Sequence, residues 1–307
     1  MISRKQAWAL LALTLMWGVN WPMMKLSLQE TTPLVFRAFT MVMGASWLFI
    51  YLARKGERMW PARHEWGSIA LLGLPNILAW HTLSIFGVQA LASGRAAILG
   101  FTMPIFTVIL GALFFKERIT PRVRLAVVCA AAAIGLLLWN EFARLTGKPT
   151  GVIWMLTGAA CWALGTLMFR RAKLTLAPLV VTVWMPLLGS VIVGALALAF
   201  EPLPQPSQFS APMWLSLVYG VVINYGFAQL IWFGMARNLP PATSAMSVMA
   251  IPLVGTLSAT FIVGEMPHWQ DWVAMGFVML AIASVLWPAR PAPANPVLSG
   301  AAQSGHV

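Results

Sequence analysis

The sequence predicts an all-α polytopic membrane protein: ten transmembrane helices forming two inverted five-helix repeats, with both termini cytoplasmic. Three observations predict it. Of 307 residues, 60% are hydrophobic and only 9% are charged, where a soluble domain carries about a quarter charged, and mean hydropathy is +0.79. The apolar residues fall in runs of ~20, the length that crosses a bilayer as helix. An ordered set of residues in the first half returns in the second. The ~10-residue alternating strands of a membrane barrel are not seen, and backbone in lipid must satisfy its own hydrogen bonds, so the spans are helices.

The runs occupy residues 7–28, 33–53, 66–90, 94–115, 122–140, 151–170, 177–200, 213–234, 242–264 and 270–288. Polar breaks such as ARKGERMWPARHE, KERITPR, EFARLTGKP and EPLPQPSQ separate them. Arg4 and Lys5 ahead of the first run resemble a signal peptide, but the run is too long and no small-residue cleavage site follows. It reads as a retained first helix. The repeats are expected at 1–145 and 146–288, followed by a Pro/Ala/Gly/Ser-rich tail, 289–307, expected to be disordered.

Net charge is +12. With the N-terminus inside, 15 of the 20 lysines and arginines fall on the cytoplasmic side and 5, among them Lys25, Arg37 and Arg95, on the other. The basic charge is therefore topological, and no nucleic-acid partner is expected. Cys129 and Cys161 lie in apolar helices and imply neither a disulfide framework nor a metal site.

The repeat is read from offsets. Trp17 returns as Trp162, and Pro33, Leu34, Val35 and Gly44 as Pro178, Leu179, Val180 and Gly189, at 145. Gly73, Phe86 and Gly87 return as Gly220, Phe233 and Gly234 at 147. Pro104, Glu117, Ala133 and Trp139 return as Pro252, Glu265, Ala281 and Trp287 at 148. A slowly drifting offset fits duplication with small insertions. Five helices per half is odd, so the halves insert in opposite senses, as in secondary transporters with a site near the midplane.

Candidate site residues follow from polar and aromatic groups deep in the spans. In LMWGVNWPMMK, Thr14, Trp17, Trp21 and Met24 share a helix face, with Asn20 at its edge. His81 lies deep in the third helix, and Asn224, Tyr225 and Gln229 in the eighth. Such groups face a bundle interior, either as packing or as the lining of an aromatic cavity. That cavity is assigned Trp17, Asn20, Trp21, His81, Phe101, Trp162, Asn224, Tyr225 and Ser247. Pro22, Pro104 and Pro252 are expected as hinges. Glu117 and Glu265 close the fourth and ninth helices and are read as structural. CAAAAIG and AIAS in the fifth and tenth helices are read as packing stretches.

All eight acids fall at helix ends or in loops, and Arg37 and Arg95 sit toward helix ends. The interior is therefore expected to hold neither a carboxylate for a cation or proton nor a basic group for an anion. There is no Gly-rich phosphate loop with its lysine and no convergent acid, base or metal group. The protein is not expected to be an enzyme or to carry a cofactor.

The Pro-to-Glu spacing that closes the fourth helix of each half, together with WGVNWP and FTMPIFTVILGALFFKERIT, resembles the drug/metabolite transporter superfamily, in its EamA-type branch. Within that branch the chain is most similar to the YddG-type exporters of aromatic amino acids. The resemblance covers roughly residues 7 to 288. It implies alternating access in a bacterial inner membrane, with helices one, three, four, six, eight and nine around the substrate. The expected function is export of aromatic amino acids or similar neutral or zwitterionic aromatic metabolites, as a facilitator. His81 is the one candidate proton carrier. Without charged contacts, affinity is expected to be weak. The alternatives are a multidrug exporter of hydrophobic cations held by cation–π contacts, and a receptor or intramembrane enzyme. The expected partners are a small-molecule substrate and the bilayer, and the protein is expected to be a monomer.

Overall fold

The computed structural model describes residues 3–117, 119–143, 149–236 and 249–286. These residues form helices and no strand. We label α1 (Arg4–Ser27), α2 (Pro33–Arg54), α3 (Glu65–Ala90), α4 (Ser93–Phe115), α5 (Pro121–Ala143), α6 (Pro149–Arg171), α7 (Pro178–Phe200), α8 (Ala211–Val218 continued by Tyr219–Phe227 and Ala228–Ala236), α9 (Ile251–Ile262) and α10 (Trp269–Leu286). Eight of them are long and apolar enough to cross a membrane; α9 is a shorter apolar helix. Ser247, part of the expected ninth span, and the tail 289–307 lie outside the described residues.

Local chemistry sets the starts of these helices. Ser3 caps α1 with a capping box to Gln6, and Ser210 caps α8 through the Met213 amide. Proline occupies the first turn of α2, α7 and α9, where its missing N–H leaves no bond unmade.

The packing repeats as the sequence does. α2 packs on α7 and α5 on α10, while α1 packs on α9 as α6 packs on α4. α3 packs on α6, and α8 packs on α1. Under the sequence offsets each of these contacts is the image of another or of itself. Between α5 and α10 the small-residue stretches meet: Ala126, Cys129, Ala130 and Ala281 are buried together with Ile105, the close backbone approach that membrane helices use in place of a hydrophobic drive.

Two irregularities also recur. α3 is π-helical over Leu74–Ala79 and α8 over Tyr219–Phe227, matching the offset of 147 that relates Gly73 to Gly220. α4 breaks at Phe101–Thr102 before restarting at Met103, and residues 249–250 form the same turn before α9. Pro104 and Pro252 therefore stand in the first turn of a restarted helix, where proline starts a helix rather than bending one.

Pro22, by contrast, sits inside α1. It removes the donor for the Gly18 carbonyl. A Cβ placed on Gly255 of α9 would stand 3.3 Å from that oxygen, and one on Gly18 would stand 2.4 Å from Val254 Cγ1. The contact between α1 and α9 thus needs glycine at Gly18, and leaves little room for a side chain at Gly255. Gly18→Ala is expected to destabilise by about 1–3 kcal/mol through overpacking, seen as a lowered melting temperature in detergent. Val254→Ala in the same chain should restore only a small part, because its Cβ would still stand 2.5 Å from the new methyl group.

Polar ties hold one end of the bundle. Lys25 Nζ donates to carbonyls at the end of α3, at Val88 and Gln89, and to that of Leu91 just past it, at 2.9–3.0 Å. Glu201 accepts from the Leu34 and Val35 amides at the start of α2, and Glu265 from the Ser93 amide at the start of α4 at 2.6 Å. Carboxylates at helix N-termini and an ammonium at a C-terminus complement the helix dipoles. Glu30 accepts from the Ser210 amide and hydroxyl, which hold its carboxyl below the ordinary range. That tie is complete above the ordinary carboxylate pKa and loosens as pH falls through the lowered value.

At the opposite end Glu65 accepts from the Ala62 and Thr175 amides. Glu117 pairs with Arg171 at 3.0 Å. The latter pair is 41% and 48% exposed and contributes little. Both helix-closing glutamates, Glu117 and Glu265, are engaged in structural contacts of this kind.

Candidate substrate site between the helices

The α1 face places Trp17 and Trp21 one turn apart, followed by Met24. Trp21 is buried and meets Phe101 edge-on, with ring centroids 6.4 Å apart. The Phe101–Thr102 break frees Phe101 from the helical register, and Gly100 beside it lets the Trp21 ring in: a Cβ there would stand 2.7 Å from Cη2. Trp80 of α3 meets Trp162 of α6 edge-on at 5.8 Å, and Trp17 meets Trp232 of α8 at 5.4 Å. Trp17, Trp21, Phe101 and Trp162, four of the aromatic residues singled out from sequence, thus join one apolar cluster with Trp80 and Met155.

The polar candidates divide. Tyr225 is buried in the π-helical part of α8, with its hydroxyl 3.3 Å from Nε2 and 3.4 Å from Nδ1 of His81. It belongs to a second apolar cluster, on the α2–α7 side. Asn20 and Asn224 are half-buried. Both π-helical stretches lie here, each adding a residue to its turn and so turning the following side chains. His81 follows the first stretch directly, and Asn224 and Tyr225 lie in the second.

Sequence reasoning missed three participants. Asn76, buried in the first π-helical stretch, packs on Gly165 of α6, where a Cβ would stand 2.6 Å from its amide. Trp232 completes the pair with Trp17. Arg37, expected to serve only the end of α2, instead turns inward. It is 3% exposed, its Nη2 lies 3.1 Å from Met24 Sδ, and the Tyr225 side chain stands within electrostatic range of it. The expectation of an interior without a basic group is therefore corrected. The missed signal is the α2 stripe Arg37, Thr40, Met41, Gly44, Leu48 and Leu52, all buried at helical spacing. Gly44 is what admits α8: a Cβ on it would stand 2.3 Å from the Tyr225 Cβ.

A cavity of about 190 Å³ lies at the Lys25 end, lined by Gly94, Arg95, Thr256, Glu265, His268 and Asp271 among others. Ligand pockets are usually about 300–1,000 Å³, and this cavity is apart from the aromatic cluster. Among the described residues no group of His, Cys, Asp and Glu could hold a metal ion.

The EamA-like transporter family matches residues 4–139 and again 149–287. The inner membrane transporter YedA of Escherichia coli, described as uncharacterized, is 28% identical over 303 residues, covering 95% of each chain. A probable amino-acid metabolite efflux pump of Salmonella typhimurium is 26% identical over 286 residues, covering 86% of this chain and 89% of its own. A solved crystal structure superposes with a TM-score of 0.63 at 18% identity, covering 98% of this chain and all of that one, a likeness of fold. The chain belongs to the EamA-like transporter family. It is a multi-pass inner membrane transporter and not an enzyme.

Proposed function

We propose that this EamA-like transporter exports aromatic amino acids or similar neutral or zwitterionic aromatic metabolites. It does so by alternating access of two inverted five-helix halves, with both termini cytoplasmic. The observation that carries the substrate class is the convergence of Trp17, Trp21, Phe101 and Trp162 from α1, α4 and α6 into one cluster, with Arg37, His81 and Tyr225 adjoining it. Aromatic rings offer edges and faces to a planar solute, each contact contributing roughly 0.5–1.5 kcal/mol. The efflux pump among the relatives supports an amino-acid solute. The recurrence of the helix break and of the π-helical stretch supports two related halves. The absence of a carboxylate on the described cluster supports facilitated movement down a gradient. Asn20, Asn224 and Ser247 complete the proposed lining, and Pro22 together with the turns just ahead of Pro104 and Pro252 the proposed points of flexure. We take the transporting unit to be a monomer.

Counterflow in proteoliposomes tests this with labelled phenylalanine, tryptophan and alanine. The aromatic solutes should exchange faster than alanine, with or without an imposed pH gradient. Trp17→Ala and Trp162→Ala should each raise the half-saturating concentration roughly 2- to 13-fold, the loss of one ring contact. Equal exchange of alanine would sink the aromatic assignment. Competition by tetraphenylphosphonium would favour a carrier of hydrophobic cations.

A further inference from the structure

Arg37 is a buried cation in need of an anion. Around its guanidinium stand Met24 from α1, the ring of the neighbouring Phe36, whose centroid is 5.9 Å from the guanidinium carbon, and, within electrostatic range, Tyr225 from α8 and His81 from α3. The thioether is a weak acceptor and the phenol a neutral one. Among the described residues no carboxylate pairs with it; the ion pairs found there join Arg95 to Asp271 and Arg171 to Glu117. Its Nε is shut from solvent without a hydrogen-bond partner. Buried donors are almost always satisfied, and a buried charge without a counter-ion is strongly disfavoured. A fold that needed only to fill this space would gain by an apolar residue, so the charge and its idle donor point to a ligand.

The position says which part of the ligand. Met24 belongs to the same apolar cluster as Trp21 and Phe101, whereas Tyr225 belongs to the other large cluster. Arg37 lies between the two, touching the first through Met24. A guanidinium presents paired N–H groups that fit the two oxygens of a carboxylate. Resting on the aromatic-solute reading above, we propose that Arg37, steadied by Tyr225, binds the carboxylate of the transported solute. The acid group, as well as the ring, then becomes a requirement for transport. A bound carboxylate fills the idle donor and neutralises the buried charge at once. A hydrophobic cation would be repelled at the same place.

Counterflow and thermal unfolding of the purified full chain test the proposal together. Wild type should exchange phenylalanine at least tenfold faster than phenylalaninamide, which keeps ring and amine and lacks the acid. Arg37→Gln should lower phenylalanine exchange roughly 10- to 100-fold, the loss of one charge-assisted contact. Arg37→Lys keeps the charge without the fork and should fall between. Arg37→Met should melt no lower than wild type, which a structural arginine would not allow. 3-Phenylpropionate should raise the wild-type melting temperature and leave that of Arg37→Met unmoved, while 2-phenylethylamine moves neither. Equal exchange of phenylalaninamide, wild-type exchange by Arg37→Gln, or loss of the fold in both Arg37→Met and Arg37→Lys would each overturn the proposal. If wild type exchanges no amino acid yet shows the Arg37-dependent shift with the carboxylate, the aromatic amino-acid reading falls and the anion site stands.

Discussion

Replacing Arg95 with leucine is expected to lower stability by about 3–5 kcal/mol, the loss that follows when one member of a buried ion pair is removed. Arg95 Nε lies 2.6 Å from Asp271 Oδ1, with side chains only 9% and 6% exposed. The other carboxylate oxygen accepts from the His268 amide at 2.7 Å, closing the first turn of α10. Asp271 therefore has two duties. It caps its own helix, and it ties α10 to the start of α4, whose first residue is held in turn by Glu265. Without Arg95 the carboxylate keeps its capping bond and loses its counter-charge, so the loss exceeds that of a surface pair such as Arg171–Glu117. Arg95→Leu with Asp271→Leu should recover a part, because the two charges of the pair leave together, though the helix loses its cap. Thermal unfolding of the three variants in one detergent reads the difference. A double variant no better than Arg95→Leu would mean that the pair's importance lies in geometry rather than in charge.

What the sequence made legible depends on whether a feature is written in spacing or in reach. The pairing of Pro104 with Pro252 was legible from their fixed offset, but they were read as hinges inside continuous spans, whereas each stands in the first turn of a restarted helix. The ring cluster was legible because tryptophan is rare in the middle of a span, so Trp17, Trp21 and Trp162 stood out against lipid-facing leucine. The π-helical stretches were not legible. Leu74–Ala79 contains Pro75, but Tyr219–Phe227 contains no proline, and one extra residue in a turn leaves no mark on an apolar run. Arg37 was misread because its Cα lies one turn into α2, where a long basic side chain by default reaches out to the headgroups. Its direction was set by Gly44, seven residues on, which brings α8 against that face. Only the helix periodicity, applied to the polar residue as well as to the apolar ones, would have placed it inside.

Joining α1 to α8 by a disulfide between Ser27→Cys and Ser216→Cys, in a chain with Cys129→Ala and Cys161→Ala, is expected to stop transport, and reduction to restore it. The two serine hydroxyls lie 2.6 Å apart and buried, so their Cβ atoms are within the span a disulfide needs. α1 belongs to the first sequence repeat and α8 to the second. If the Lys25 end opens by parting α1 from α8, this contact must break. The ties at that end are not equal. Ser27–Ser216 is a neutral pair, worth about 1 kcal/mol net, and the Glu30 carboxylate can exchange Ser210 for water because it is exposed. Arg95–Asp271 is charged and buried, so parting it would be far more expensive. Opening is therefore expected along the α1–α8 seam, with α4 and α10 moving together. Oxidised protein should exchange solute at less than about a tenth of the reduced rate if the seam is the gate. Unchanged exchange after complete oxidation would mean that α1 and α8 travel as one body, and that the moving boundary lies elsewhere.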